Sequence, residues 1–176
     1  MALEWNIWYA EWMIGDGLPD RSVGEEFVWE VEFYPNERLA KTEERKKTAV
    51  PLPDYRYRVT AELICLSEQA CVLDFGLKVV GGADLISPGC RPGDFVTGEI
   101  VVSLTHGRVL PAEKTLEFVS RKWRVNSIQA DITPYISLPH NPRVFFRDES
   151  RIRYQSVSST DEVKAHNYVL HCSEAL

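Results

Sequence analysis

The feature that most constrains this chain is an alternation of apolar and polar residues with a period of two, sustained through segment after segment. In EEFVWEVEFYP, Phe27, Trp29, Val31 and Phe33 fall on one face of a strand, and Val28, Glu30, Glu32 and Tyr34 on the other. Successive side chains of a strand point to opposite faces, so this pattern describes a half-buried strand, rich in the aromatic and β-branched residues that suit one. YRYRVTAELICL repeats the pattern, with Tyr55, Tyr57, Val59, Ala61, Leu63 and Cys65 opposed to Arg56, Arg58, Thr60 and Glu62. CVLDFGLKVV follows after four polar or small residues, which predicts a hairpin. In FVTGEIVVSL, Val96, Ile100, Val102 and Leu104 face inward around Gly98. A glycine inside a strand marks a bulge or a sharp coil, the device by which a small barrel turns its corners.

Farther along, LEFVSRKWRV and IQADITPYI read as one broken strand or two short ones, and SLPHNPRVFF as a loop limited by Pro139 and Pro142. RIRYQSVSS and AHNYVLHCS read as closing strands. The expected fold is therefore mainly β: a small, coiled antiparallel barrel or sandwich of about eight strands, OB-like at best, with an N-terminal hairpin and little helix. At 176 residues the chain fits a single domain, 1–176. The best helix candidate is 36–49, but eight of residues 37–47 are charged and only Leu39 and Ala40 are apolar. Without an apolar stripe, 36–53 reads as a charged linker between the N-terminal hairpin and the main barrel. No internal repeat is visible.

EWNIWYAEW, residues 4–12, holds three tryptophans. As a strand it points Trp5 and Ile7 one way and Trp8 and Trp12 the other; as a helix it aligns the three tryptophans at i, i+3 and i+7. The strand is preferred, since it could pair with EEFVWEVEFYP across GDGLPD. Trp5 is then core, whereas Trp8 and Trp12 need cover from another element or a partner.

PGDFVTGEI resembles the turn-and-strand entry of oligonucleotide/oligosaccharide-binding barrels, particularly S1-type domains, and CVLDFGLKV is similar to their glycine-bearing second strand. The two segments occur here in the opposite order. What the resemblance implies is a shared way of coiling short strands, and no functional residue is carried over from it.

Several chemistries lack a signature. There is no nucleophile elbow, no P-loop and no catalytic cysteine motif. The cysteines at 65, 71, 90 and 172 lack the close pairs that chelate zinc, and the histidines are scattered, so no metal or other cofactor is expected. Glu30 and Glu32, roughly 6.5–7 Å apart on a strand, match the solvent side of an amphipathic strand better than an acid–base pair. The N-terminus has neither the basic nor the apolar region of a secretory signal, and no apolar run spans a bilayer, so a cytoplasmic protein is expected.

Charge separates the two halves. Residues 1–88 carry 9 Lys/Arg against 16 Asp/Glu, and residues 89–176 carry 11 against 10. The expected function is a non-enzymatic interaction module, in the manner of an immunity protein by analogy. Its acidic N-terminal sheet, with Trp8, Trp12, Glu30 and Glu32, would face a basic protein partner. The alternative is an OB-like single-stranded nucleic-acid binder using Arg121, Arg124, Arg143 and Arg147, where cations would track phosphate and nearby rings would stack on bases. A small-ligand barrel or an enzyme is the third class.

Overall fold

The computed structural model describes residues 4–106, 120–138 and 140–175, and is mainly β, with 58% strand and 9% helix. The strands are β1 (Glu4–Ala10), β2 (Glu26–Pro35), β3 (Ala40–Thr42), β4 (Thr48–Pro51), β5 (Tyr57–Leu66), β6 (Ala70–Asp74) and β7 (Lys78–Gly82). They continue with β8 (Phe95–Leu104), β9 (Ser120–Asp131), β10 (Tyr135–Leu138), β11 (Asn141–Arg147), β12 (Tyr154–Val157) and β13 (Asn167–Glu174). A one-turn helix, α1 (Glu11–Gly15), follows β1.

Eight strands close a barrel in the order β1–β13–β9–β2–β7–β6–β5–β8 and back to β1. Closure depends on β2 and β8, which are long enough to serve two sets of neighbours. Val31–Pro35 pair with Ile100–Leu104. Beyond that shared segment, Glu26–Glu30 pair with β9, and Phe95–Ile100 with β5. The inward positions, among them Ile7, Val31, Val79, Val102, Ile128 and Leu170, are at most 1% exposed and form one continuous core.

The register reveals a symmetry. One row of paired residues crosses all eight strands: Gln129, Val169, Trp8, Ser103, Glu32, Val80, Val72 and Cys65. The parallel contact Trp8–Ser103 on one side of the Glu32–Ser103 pair mirrors the parallel contact Glu32–Val80 on the other. Superposing β1, β2, β5 and β6 on β7, β8, β9 and β13 maps every barrel pairing onto another of the same sense. The barrel thus has a pseudo-twofold axis beside Glu32 and Ser103. No repeat is visible in the sequence because the symmetry asks only for alternation and volume: Ile7 corresponds to Val79, but Trp8 to Val80 and Phe27 to Gly98.

Three local expectations are revised. First, β1 and β2 do not form a hairpin. β1 pairs along its whole length with β13, from Glu4–Ser173 to Ala10–Asn167, while β2 is held by β8, β9 and β7. Helix α1 turns the chain out of the strand direction, which a tight hairpin cannot tolerate. Second, the charged segment 36–53 is not a free linker. It supplies β3 to β8 and β4 to β5, with Leu39 fully buried and bridged to Ile86. Its lysines find carboxylates, Lys41 at 2.8 Å from Asp94, and Lys47 at 2.8 Å from Glu62 and 2.9 Å from Asp74. Charged side chains are compatible with short edge strands, where they discourage pairing with other chains. Third, the segment expected as a loop around Pro139 and Pro142 forms the β10–β11 hairpin, which pairs with no other strand among the described residues.

Candidate functional site

The three opening tryptophans take three different roles. Trp5 is buried against Tyr57 and Phe75, with ring centroids at 5.6 and 5.7 Å. Trp8 faces the outside of the barrel and lines a cavity. The strand ends at Ala10, and the switch to α1 brings Trp12 to the surface, where it is 52% exposed. Its indole stands edge-on to His106 at 5.0 Å. The neighbouring carboxylates Glu11 and Asp16 are 53% and 63% exposed, lying 3.8 Å from His166 Nδ1 and 3.9 Å from His106 Nε2 respectively. His166 in turn meets Tyr135 at the base of the β10–β11 hairpin, with centroids 4.5 Å apart. Residues 1–20 contain four carboxylates and no lysine or arginine, so this surface is acidic and aromatic by sequence as well as by position.

The two glutamates expected beside these tryptophans differ from each other. Glu30 is half-buried, whereas Glu32 is 3% exposed and accepts a 2.7 Å hydrogen bond from the Tyr34 hydroxyl. Alternation places Glu32 correctly on the outer face. However, the outer face of the central strands is itself covered: Val72, Val80, Ser103 and Val169 in the same row are each 1% exposed.

The cavity lies on that outer face and has a volume of about 410 Å³. One wall begins in the 3-10 turn Pro53–Tyr55, where Asp54 (φ 61°) and Tyr55 (φ 57°) are consecutive non-glycine residues in the left-handed region. Each such residue costs on the order of 1–3 kcal/mol and persists only where its surroundings hold it. Here they do. Asp54 receives two hydrogen bonds from Arg147, at 2.8 and 2.9 Å, and one from the Tyr154 hydroxyl. Arg147 also donates to Tyr154 at 2.8 Å, and its Nε lies 2.8 Å from Asp131 as an ion-pair contact without hydrogen-bond geometry. The Tyr55 hydroxyl donates to Gln129, and its ring stands edge-on to Tyr154 at 4.7 Å and to His171 at 5.5 Å.

Electrostatics follow from this arrangement. Burial opposes ionisation of Asp54, but the hydrogen bonds from Arg147 and Tyr154 outweigh it and hold the carboxyl below its usual pKa. Burial, followed by the bond to Asp54, pushes the Tyr154 phenol up. Burial disfavours the charged form of Arg147, yet the bonds to Asp54 and the surrounding negative charge raise its pKa. The clamp is a fixed ionic pair. Three other polar side chains on the cavity, Asn36, Glu149 and Asn167, have no side-chain partner among the described residues.

Of the four arginines expected to form a track, Arg121, Arg124 and Arg147 do not converge. Arg121 is half-buried, bonded to its neighbour's carbonyl at 2.9 Å and 3.7 Å from Glu174. Arg124 is exposed and paired in register with Glu26. Arg143 lies in β11, with its side chain outside the described residues. Arg147 is in the clamp. The structure instead joins Trp8 from one expected set to Arg147 from the other, in one cavity. Asp54, Tyr55, Asp131 and Tyr154 were missed because they are brought together from three distant segments, the Pro53–Tyr55 turn, β9 and β12.

Among the described residues no group of three or more His, Cys, Asp or Glu is placed to hold a metal, and no helix is long and apolar enough to cross a membrane. No protein family, curated protein or solved structure matches the chain.

Proposed function

We propose that this protein is a non-enzymatic interaction module that docks a basic protein partner on the α1 surface. Trp12 is the central contact, flanked by Glu11 and Asp16. The observation carrying this reading is that a tryptophan, among the costliest side chains to leave in water, is half exposed between two exposed carboxylates. Tryptophan is enriched among the few residues that dominate interface energies, and surrounding charge of one sign selects a partner of the other and speeds encounter. Of the residues expected from sequence, Trp12 belongs to this surface. Trp8 faces the cavity, and Glu30 and Glu32 are half-buried and buried.

The experiment is photo-crosslinking in cells with a benzophenone side chain at position 12 and, as control, at Val28, which is 61% exposed on the barrel wall. The reading expects a discrete adduct with a basic protein from position 12 alone, weakened when Glu11 and Asp16 are changed to Gln and Asn. Equal labelling from both positions, or no adduct from position 12, contradicts it.

A further inference from the structure

We propose that the cavity between the Pro53–Tyr55 turn and the β11–β12 segment is a saccharide-binding site. It is separate from the α1 surface and does not depend on that reading. At about 410 Å³ it lies in the size range of small-ligand pockets and has room for a mono- or disaccharide. The chemistry of the lining narrows the class.

A saccharide presents hydroxyls, each both donor and acceptor, around a ring with apolar C–H faces. It therefore needs donors and acceptors interleaved at fixed positions, together with flat apolar surface. The cavity supplies both. Asp54 and Asp131 present carboxylate oxygens, and Arg147 presents guanidinium nitrogens held between them. Asn36 and Asn167 add two amides with no side-chain partner among the described residues, each offering a donor and an acceptor. The indole of Trp8, with Val101 and Ile152, provides apolar wall.

Other ligand classes fit less well. The cationic groups are already matched: Arg147 by Asp54 and Asp131, and Arg56 by Glu99 at 3.3 Å. A phosphate would meet no uncompensated cation. A cationic ligand would find Asp54 and Asp131 already held by Arg147, which leaves it the single exposed carboxylate of Glu149. A nucleobase favours parallel rings between which it can stack, but Tyr55 and Tyr154 stand at 84° to each other. What remains is a neutral, polyhydroxylated ligand lying with one face against an aromatic wall. The consecutive left-handed residues at Asp54 and Tyr55 present the clamp before any ligand arrives, so little reorganisation opposes binding.

The test is saturation-transfer NMR with a fixed panel: the methyl glycosides of glucose, galactose and mannose, N-acetylglucosamine, maltose and cellobiose, with uridine and adenosine as comparators. Tryptophan emission is followed in parallel. At least one saccharide should receive saturation and shift the emission. The Asn36→Ala/Asn167→Ala variant, shown to be folded by circular dichroism, should bind it roughly tenfold or more weakly, since two net hydrogen bonds are lost. Trp12→Ala should leave binding unchanged. No transfer to any saccharide overturns the proposal. So does transfer undiminished in the double variant, or a response confined to the nucleosides.

Discussion

Leu39 is the point at which the charged segment is either part of the barrel or merely attached to it. The side chain is fully buried, and its Cδ2 occupies space 2.5 Å from where a Cβ on Gly98 would lie. Gly98 is thus an inward position of β8 left empty so that a residue from outside the barrel can fill it. Leu39→Ala removes a fully buried isobutyl group and should cost about 2–5 kcal/mol. Gly98→Ala forces a methyl into occupied space, which costs about 1–3 kcal/mol, offset in part by about 0.4–1 kcal/mol from the stiffer unfolded chain. In the double variant the new methyl enters the space that Leu39 vacates. The combined loss should then fall short of the sum of the singles by about 1 kcal/mol or more. Urea unfolding followed by tryptophan emission measures all four corners of this cycle. A cost under about 1 kcal/mol for Leu39→Ala, or strict additivity, would refute the claim that Leu39 completes the core.

Two further predictions follow from the clamp and the symmetry. Because Asp54 has a depressed pKa in the folded protein, its contribution is present above the unfolded value of about 3.9 and is lost as pH falls through the lower folded value. The stability gap between wild type and Asp54→Asn should therefore shrink on acidification below about pH 4, and a gap independent of pH would contradict the clamp. The pseudo-twofold also makes the β6–β7 turn at Gly76 equivalent to the meeting of β13 and β1, where Ser173 pairs with Glu4. A circular permutant opened at Gly76, with residue 175 joined by a short linker to residue 4, should keep the native near-ultraviolet circular dichroism; a molten spectrum would count against that equivalence.

The barrel was legible because alternation carries the information a closed sheet needs. Val96, Ile100, Val102 and Leu104 in β8, and Trp123 in β9, point inward as their spacing requires. The β5–β6 pair was legible as a hairpin, but partners farther apart in the chain were not. Nothing local distinguishes β13 from β2 as a neighbour for β1, since both offer the same alternating face. Burial of the outer face was hidden for the same reason: a period of two says which side Glu32 is on, but not whether another layer lies over that side. Leu39 was lost among eight charges because composition averages over a single apolar anchor. The clamp was invisible for a different cause. Asp54, Asp131 and the Arg147–Tyr154 stretch are distant in sequence, and only Arg147 stood out in its own segment.

The measurement that most directly tests the interaction surface is the quenching of Trp12 emission by caesium and by iodide, taken as the difference between wild type and Trp12→Phe. An uncovered indole between Glu11 and Asp16 attracts the cation and repels the anion. The account predicts that caesium quenches the Trp12 component more strongly than iodide, and that added sodium chloride narrows the contrast. An emission component insensitive to both ions, or quenched preferentially by iodide, would mean that Trp12 is covered or sits in a basic setting, and would remove the surface on which the proposed partner docks.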